Sequence, residues 1–202
     1  MISKVEGLSK EQLDRVRKTI GEAFVTNELF HNWGSEEERR ADVLTYMSLY
    51  VDYVYQAGEL YANADRTGFI GLEDSGKKPS GILLKMLFRM LVRLRFSRIR
   101  QLMRFVDQIR DANTMYVKQR HLDVLMVCVD RGHQGKGIAS ELIAFAKERA
   151  DAEGLPLLID TDMKEYAEMY CHLGCELYNS VAADNGVTRY CLRYAGKTGC
   201  GE

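Results

Sequence analysis

Apolar positions recur along this chain with two different periods. Leu13, Val16, Ile20 and Phe24 stand three and four residues apart, the spacing that lines up side chains on one helical face. Ser9 and Gln12 in front of them make a capping box, so a helix is expected from about Ser9 to Phe24. Ser35 with Glu38 repeats that signal, and Val43, Met47, Tyr50 and Val54 carry a second helical stripe on to Gly58. Residues 59–64 and 69–72 read as two short strands joined by a turn at 65–68. After Pro79 the helical period returns as far as about Arg110. His121 to Val129 (HLDVLMVCV) holds the unbroken apolar run Val124 to Val129, expected of a central strand buried on both faces. Ile138, Leu142, Ile143 and Ala146 form the next helical stripe. It is followed by a strand at Leu155 to Asp160, a helix at Lys164 to Leu173, and strands near Cys175 to Val181 and Val187 to Tyr194. Strand, helix, strand, helix from residue 121 onward implies a crossover unit in an α/β sheet.

Composition narrows the setting. The 202 residues carry a formal net charge of −1, with 46% hydrophobic and 28% charged, as in an ordinary globular chain. No linker or repeat divides them, so one domain over 1–202 is expected. Near-balanced charge gives no reason to expect nucleic acid. No stretch approaches the ~18 apolar residues of a membrane span, and the first twelve hold no apolar core of a leader, which points to a cytoplasmic protein with no membrane. Five cysteines without a CxxC pair read as free thiols. Cys171, His172 and Cys175 lack the spacing and second ligand pair of a metal site, and no metal is expected. Tyr46, Tyr50 and Tyr53 form a helical stripe read as the edge of a core with wet hydroxyls.

The segment Lys85 to Arg104 holds seven basic residues and no acid. Arg89, Arg93, Arg100 and Arg104 fall on one helical face, with Leu83, Leu87, Met90 and Leu94 marking the apolar side. Solvated arginines balancing acids such as Glu36 to Glu38 are the favoured reading, against docking on an acidic partner, nucleic acid or a membrane surface. This basic helical insertion occupies about 80–112.

Chemistry concentrates in Asp130-Arg-Gly-His-Gln-Gly-Lys-Gly-Ile-Ala139, where a strand meets a helix. Glycines there let a ligand approach the backbone, and amides opening a helix favour an anion such as phosphate. The spacing excludes a Walker loop, because no Gly-Lys-Ser/Thr occurs. A dinucleotide fingerprint fails at its third glycine, which here is Ser140.

Gln134-Gly135-Lys136-Gly137-Ile138-Ala139 resembles the Q/R-x-x-G-x-G/A motif of the GNAT superfamily of N-acetyltransferases. Val127-Cys128-Val129 stands at that family's apolar tripeptide, and Leu155 to Cys175 resembles its fifth strand and following helix, with Tyr170 and Gly174 in register. Together these cover residues 121–194. The resemblance implies a mixed central sheet flanked by helices, in which two adjacent parallel strands splay apart around acetyl-CoA. It implies pyrophosphate on Gln134, Gly135, Lys136, Gly137, Ile138, Ala139 and Ser140, pantetheine on Val127, Cys128 and Val129, and Tyr170 as the proton donor to the departing thiolate. An acceptor ammonium must lose a proton before it attacks, and three residues are candidates for the base: Asp160, Asp123 and His121. The acceptor is expected to be a small-molecule or peptide amine, and a homodimer is kept open. Besides the enzyme, two other readings stand: an acyl-CoA sensor without turnover, and an interaction module working through the basic helix.

Overall fold

Ser9 and Ser35 both form the capping boxes that the sequence announces. They start α1 (Lys10–Phe24) and α2 (Glu36–Gln56), each donating its backbone amide to the side chain three residues on. The structure is a computed structural model that describes residues 1–77, 80–113 and 118–196; Pro79 and Cys200 lie outside the described residues. A two-turn 3-10 segment, Glu28–Trp33, joins the two helices and buries Phe30 and Trp33. That segment and the short strand β1 (Ser3–Lys4) have no period to betray them in the sequence.

Seven strands form one mixed sheet in the order β1-β2-β3-β4-β5-β7-β6. They are β1, β2 (Leu60–Ala62), β3 (Gly68–Asp74), β4 (Leu122–Val129), β5 (Leu157–Thr161), β6 (Glu176–Ala182) and β7 (Thr188–Tyr194). Only β4 and β5 run parallel, joined by the crossover helix α5 (Ile138–Glu153). The last helix, α6 (Lys164–His172), connects β5 to β6.

The apolar run in β4 meets a hydrophobic core on each face, as its pattern suggests. Full burial alternates residue by residue, and a β-bulge at Leu125 decides which residues face which core. Gly71 of β3 pairs with Met126 while Leu72 pairs with Val124, so Leu125 is an extra residue. An extra residue exchanges the two faces. Leu122 and Val124 therefore pack into the core under α5 and α6, whereas Met126 and Cys128 pack into the core under α1 and α2. The bulge also marks where the sheet opens. Leu122 to Val124 pair with Leu157 to Ile159 of β5, and beyond that point β4 and β5 diverge.

The insertion is two helices rather than one, α3 (Ser80–Arg93) and α4 (Phe96–Ile109), ending in a 3-10 turn at Arg110–Asn113. As a single helix, residues 80–109 would span about 45 Å, longer than a small domain is wide. The break at Leu94 and Arg95 lets Met86 and Met90 from one helix, Leu94 at the break, and Leu102, Phe105 and Ile109 from the other helix all reach apolar partners. The inward stripe of α3 is thus Met86 and Met90, continued by Leu94 just past its end, while Leu83 and Leu87 face outward. The arginines find their acids mainly in aspartates, although the Glu38 carboxyl, lowered by its hydrogen bonds from Ser35, is lowered further by the charge of Arg98. Arg89 reaches Asp52 at 2.6 Å, Arg98 reaches Asp42 at 2.8 Å and lies over the Trp33 ring, and Arg104 reaches Asp184 at 2.5 Å.

Asp52 is the buried member of this set and also accepts from Arg17 of α1, so one carboxylate ties α1, α2 and α3 together. Asp52→Ala is expected to lower unfolding stability by about 2 kcal/mol. That is less than a fully buried ion pair would cost, because both guanidiniums keep some access to water. Urea titration checks it: a midpoint unchanged from wild type would mean the triad contributes nothing net.

Candidate active site

The opening between β4 and β5 is the floor of a cavity of about 740 Å³. Its walls are built in sequence order by α1 and α2 (Phe24, Tyr46, Tyr50), the insertion (Leu102, Val106, Asn113), β4, the glycine loop, β5 and α6.

At one end stands the start of α5. Gly135 and Gly137 have φ of +75° and +80°, a left-handed backbone that side chains disfavour, and Gly137 is the N-cap. Among the described residues nothing lies within 4 Å of where a Cβ on either would be, so the loop lines open space. No side chain caps this helix end, and the amides of its first turn have no partner inside the helix. The helix is held close to the sheet because Gly68 of β3 has no Cβ; one placed there would collide with Ile138. Gln134, Gly135, Gly137, Ile138, Ala139 and Ser140 all line the cavity, as do Val127, Cys128 and Val129. Lys136 does not: its Nζ turns back to the Gly132 carbonyl at 3.2 Å.

Across the opening, Tyr170 lines the wall from α6 and is 6% exposed. Burial, with Tyr166 and Cys175 beside it, pushes its phenol well above the ordinary value of about 10.

Asp160 reaches the cavity from the diverging part of β5. Its Oδ2 accepts from Asn113 Nδ2 at 2.7 Å and lies 3.6 Å from Arg189 Nη1. Oδ1 is buried with no hydrogen-bond partner among the described residues, and the Cys191 thiol lies beside the carboxyl. Burial raises the Asp160 carboxyl above the usual carboxylate range, with Arg189 and Asn113 opposing. Arg189 is itself gripped by both oxygens of Asp162, at 2.6 and 2.9 Å. Tyr178 donates to Asn113 Oδ1, fixing the amide so that its NH2 faces Asp160. Asp123 also lines the cavity, from β4. His121 does not. It is buried behind Asp123, with Nε2 3.2 Å from Asp123 Oδ2 and Nδ1 2.6 Å from the Gln119 carbonyl.

The helix stripe of tyrosines is no wet boundary. Tyr46 and Tyr50 stack with ring centroids 6.1 Å apart and form cavity wall, and Tyr53 donates to Glu73. Burial pushes the Tyr46 hydroxyl up to about 12, and Tyr50 donates towards the Leu125 carbonyl at the bulge, 3.5 Å away. Three wall residues escape sequence reading altogether: Asn113, Asp162 and Arg189. Asn113 sits at the end of the insertion, 47 residues from its partner Asp160, and nothing local marks it.

The sequence pattern of the Acetyltransferase (GNAT) family matches residues 35–174. No curated protein sequence matches the chain. Among solved structures, a histone acetyltransferase HPA2 and related acetyltransferase from Corynebacterium glutamicum superposes with a TM-score of 0.61 at 15% identity, covering 96% of this chain and 94% of that one. Arylalkylamine N-acetyltransferase 2 from Aedes aegypti gives 0.61 at 13% identity, covering 96% and 97%. The polyamine N-acetyltransferase of Drosophila melanogaster, whose product is N-acetylagmatine, gives 0.57 at 14%, covering 96% and 98%. At these identities the likeness is one of fold.

Proposed function

The chain belongs to the acetyltransferase (GNAT) family, whose members use acetyl-CoA, and from that premise we propose that it transfers an acetyl group to a primary amine by direct attack in a ternary complex. The reading rests on one observation. A single cavity joins an uncapped, glycine-led helix N-terminus to a half-buried carboxyl, through a gap between splayed strands.

The residues present suit acetyl-CoA. The open amides of Ile138, Ala139 and Ser140, with the positive end of the α5 dipole behind them, suit a pyrophosphate. Val127, Cys128 and Val129, past the last β4–β5 pair, offer backbone groups to an extended pantetheine arm. When bound, acetyl-CoA supplies an activated acyl group as a thioester. On the acceptor, Asp160 removes the ammonium proton: its raised affinity for a proton makes it a better base than a solvated aspartate. Asn113 and Arg189 fix the direction of that carboxyl. Asp123 is the alternative base, with His121 as a residue positioning it. Tyr170 holds its proton at neutral pH and donates it to the leaving sulfur.

Two titrations test this. Calorimetry should show acetyl-CoA binding that weakens at least about tenfold in Gly137→Val, where a branched side chain must sit at φ +80° and crowd the pyrophosphate. The variant should stay folded, since no atom of the described residues lies within 4 Å of the new Cβ; unchanged affinity removes the loop from the site. Thiol release against polyamines, aromatic amines, amino acids and peptides then tests transfer. Tight binding of acetyl-CoA with no release for any amine would leave a sensor in place of an enzyme.

A further inference from the structure

Helix α3 is apolar on both sides. Met86 and Met90, with Leu94 after them, face the protein core, while Leu84, Phe88, Leu91 and Val92 are 62–70% exposed, with Leu83 and Leu87 beside them and Phe96 just beyond the helix end. A helix that is apolar all round needs a second apolar medium, and six large side chains on one outward face exceed the scattered exposure usual in soluble proteins. The polar residues fall along one seam. Lys85, Arg89 and Arg93 are spaced by four, a row between the inward and outward faces.

We propose that the outward face of α3 docks on an anionic lipid surface, lying in the plane of the membrane. Charge decides between this and a second copy of the chain. No acidic residue occurs between Asp74 and Asp107, so pairing two α3 faces would set two cationic rows against each other with nothing in the segment to offset them. An anionic surface meets the same row favourably. Arg89, Arg98 and Arg104 are engaged with Asp52, Asp42 and Asp184, but Lys85, Arg93, Arg95 and Arg100 are exposed and none has an ion pair among the described residues. Their long apolar stems allow the charged ends to reach headgroups while Leu84, Phe88, Leu91 and Val92 enter the acyl boundary. No helix among the described residues is long and apolar enough to cross a membrane, and a surface-lying helix does not need to be.

The test is co-sedimentation of the full chain with vesicles of phosphatidylcholine alone and of phosphatidylcholine with phosphatidylserine in equal parts. Binding is expected to the second at least about tenfold more strongly than to the first, and to fall as salt rises. Leu84→Ser with Phe88→Ser, both on exposed positions, should abolish it while the circular dichroism spectrum is unchanged. Lys85→Glu with Arg93→Glu should remove the preference for phosphatidylserine. Equal failure to sediment with both vesicles overturns the proposal. So does a concentration-dependent dimer, seen by light scattering, that Leu84→Ser with Phe88→Ser dissolves, since a second copy would then own the face. Neither result touches acetyl transfer, which is read in the absence of vesicles.

Discussion

Tyr170→Phe is expected to lower kcat and kcat/KM together by about 10²- to 10⁴-fold while leaving acetyl-CoA affinity and Tm almost unchanged. The ring is buried against β5 and β7 and stays in the variant, so packing is kept; only the hydroxyl is lost. A phenol raised above its ordinary value looks at first like a poor acid for a thiolate that titrates near 8.5 in water. The same burial acts on sulfur, however. Cys128 of β4, buried in the core under α1 and α2, has its thiol pushed up to about 12 by desolvation. A thiolate leaving into a water-poor site is a correspondingly stronger base, so burial raises both proton affinities and positioning supplies the rest. Steady-state kinetics with the best amine of the panel decides: a kcat within about threefold of wild type would assign reprotonation to water or to the acceptor.

How much of this was legible in the chain depends on how far each feature is local. Capping boxes at Ser9 and Ser35, the helical stripes behind them, and the glycine loop at Gln134 to Ser140 are written within a few residues, and the elements appear where those residues stand. The bulge at Leu125 is not local. Six consecutive apolar residues read as a strand buried on both faces, but not which residue faces which core: Gly71 on the neighbouring strand, with Val54 of α2 pressed against it, sets the register that turns Met126 and Cys128 to one core and Val124 to the other. The break after Arg93 is similarly a matter of length against the size of the core, which no window of the sequence reports. In the cavity, the residues on β4, the glycine loop and α6 belong to the motif and could be named. Asn113, Asp162 and Arg189 could not, because their meaning lies in converging on Asp160 from three separate parts of the chain.

That convergence makes Asp160→Asn the variant that separates a catalytic carboxyl from a structural one. Turnover is expected to drop by about 10²- to 10⁴-fold, since an amide accepts no proton from the ammonium. Stability should move the other way or not at all. Because burial raises the folded carboxyl above its unfolded value, the fold favours the protonated form. The corresponding stability is fully present below the unfolded value and is lost as pH rises through the folded one. At pH 7 the ionised group is therefore a cost, which Arg189 only partly offsets, and asparagine removes it while still accepting from Asn113. The Tm of Asp160→Asn should equal or exceed that of wild type at pH 7, with the difference shrinking towards pH 4. In wild type, the acidic limb of kcat/KM should fall above the ordinary aspartate value of about 3.9 and should vanish from the residual activity of the variant. A variant that keeps full turnover and the same acidic limb would move the base to Asp123, which lines the same cavity, and Asp123→Asn should then reproduce the loss.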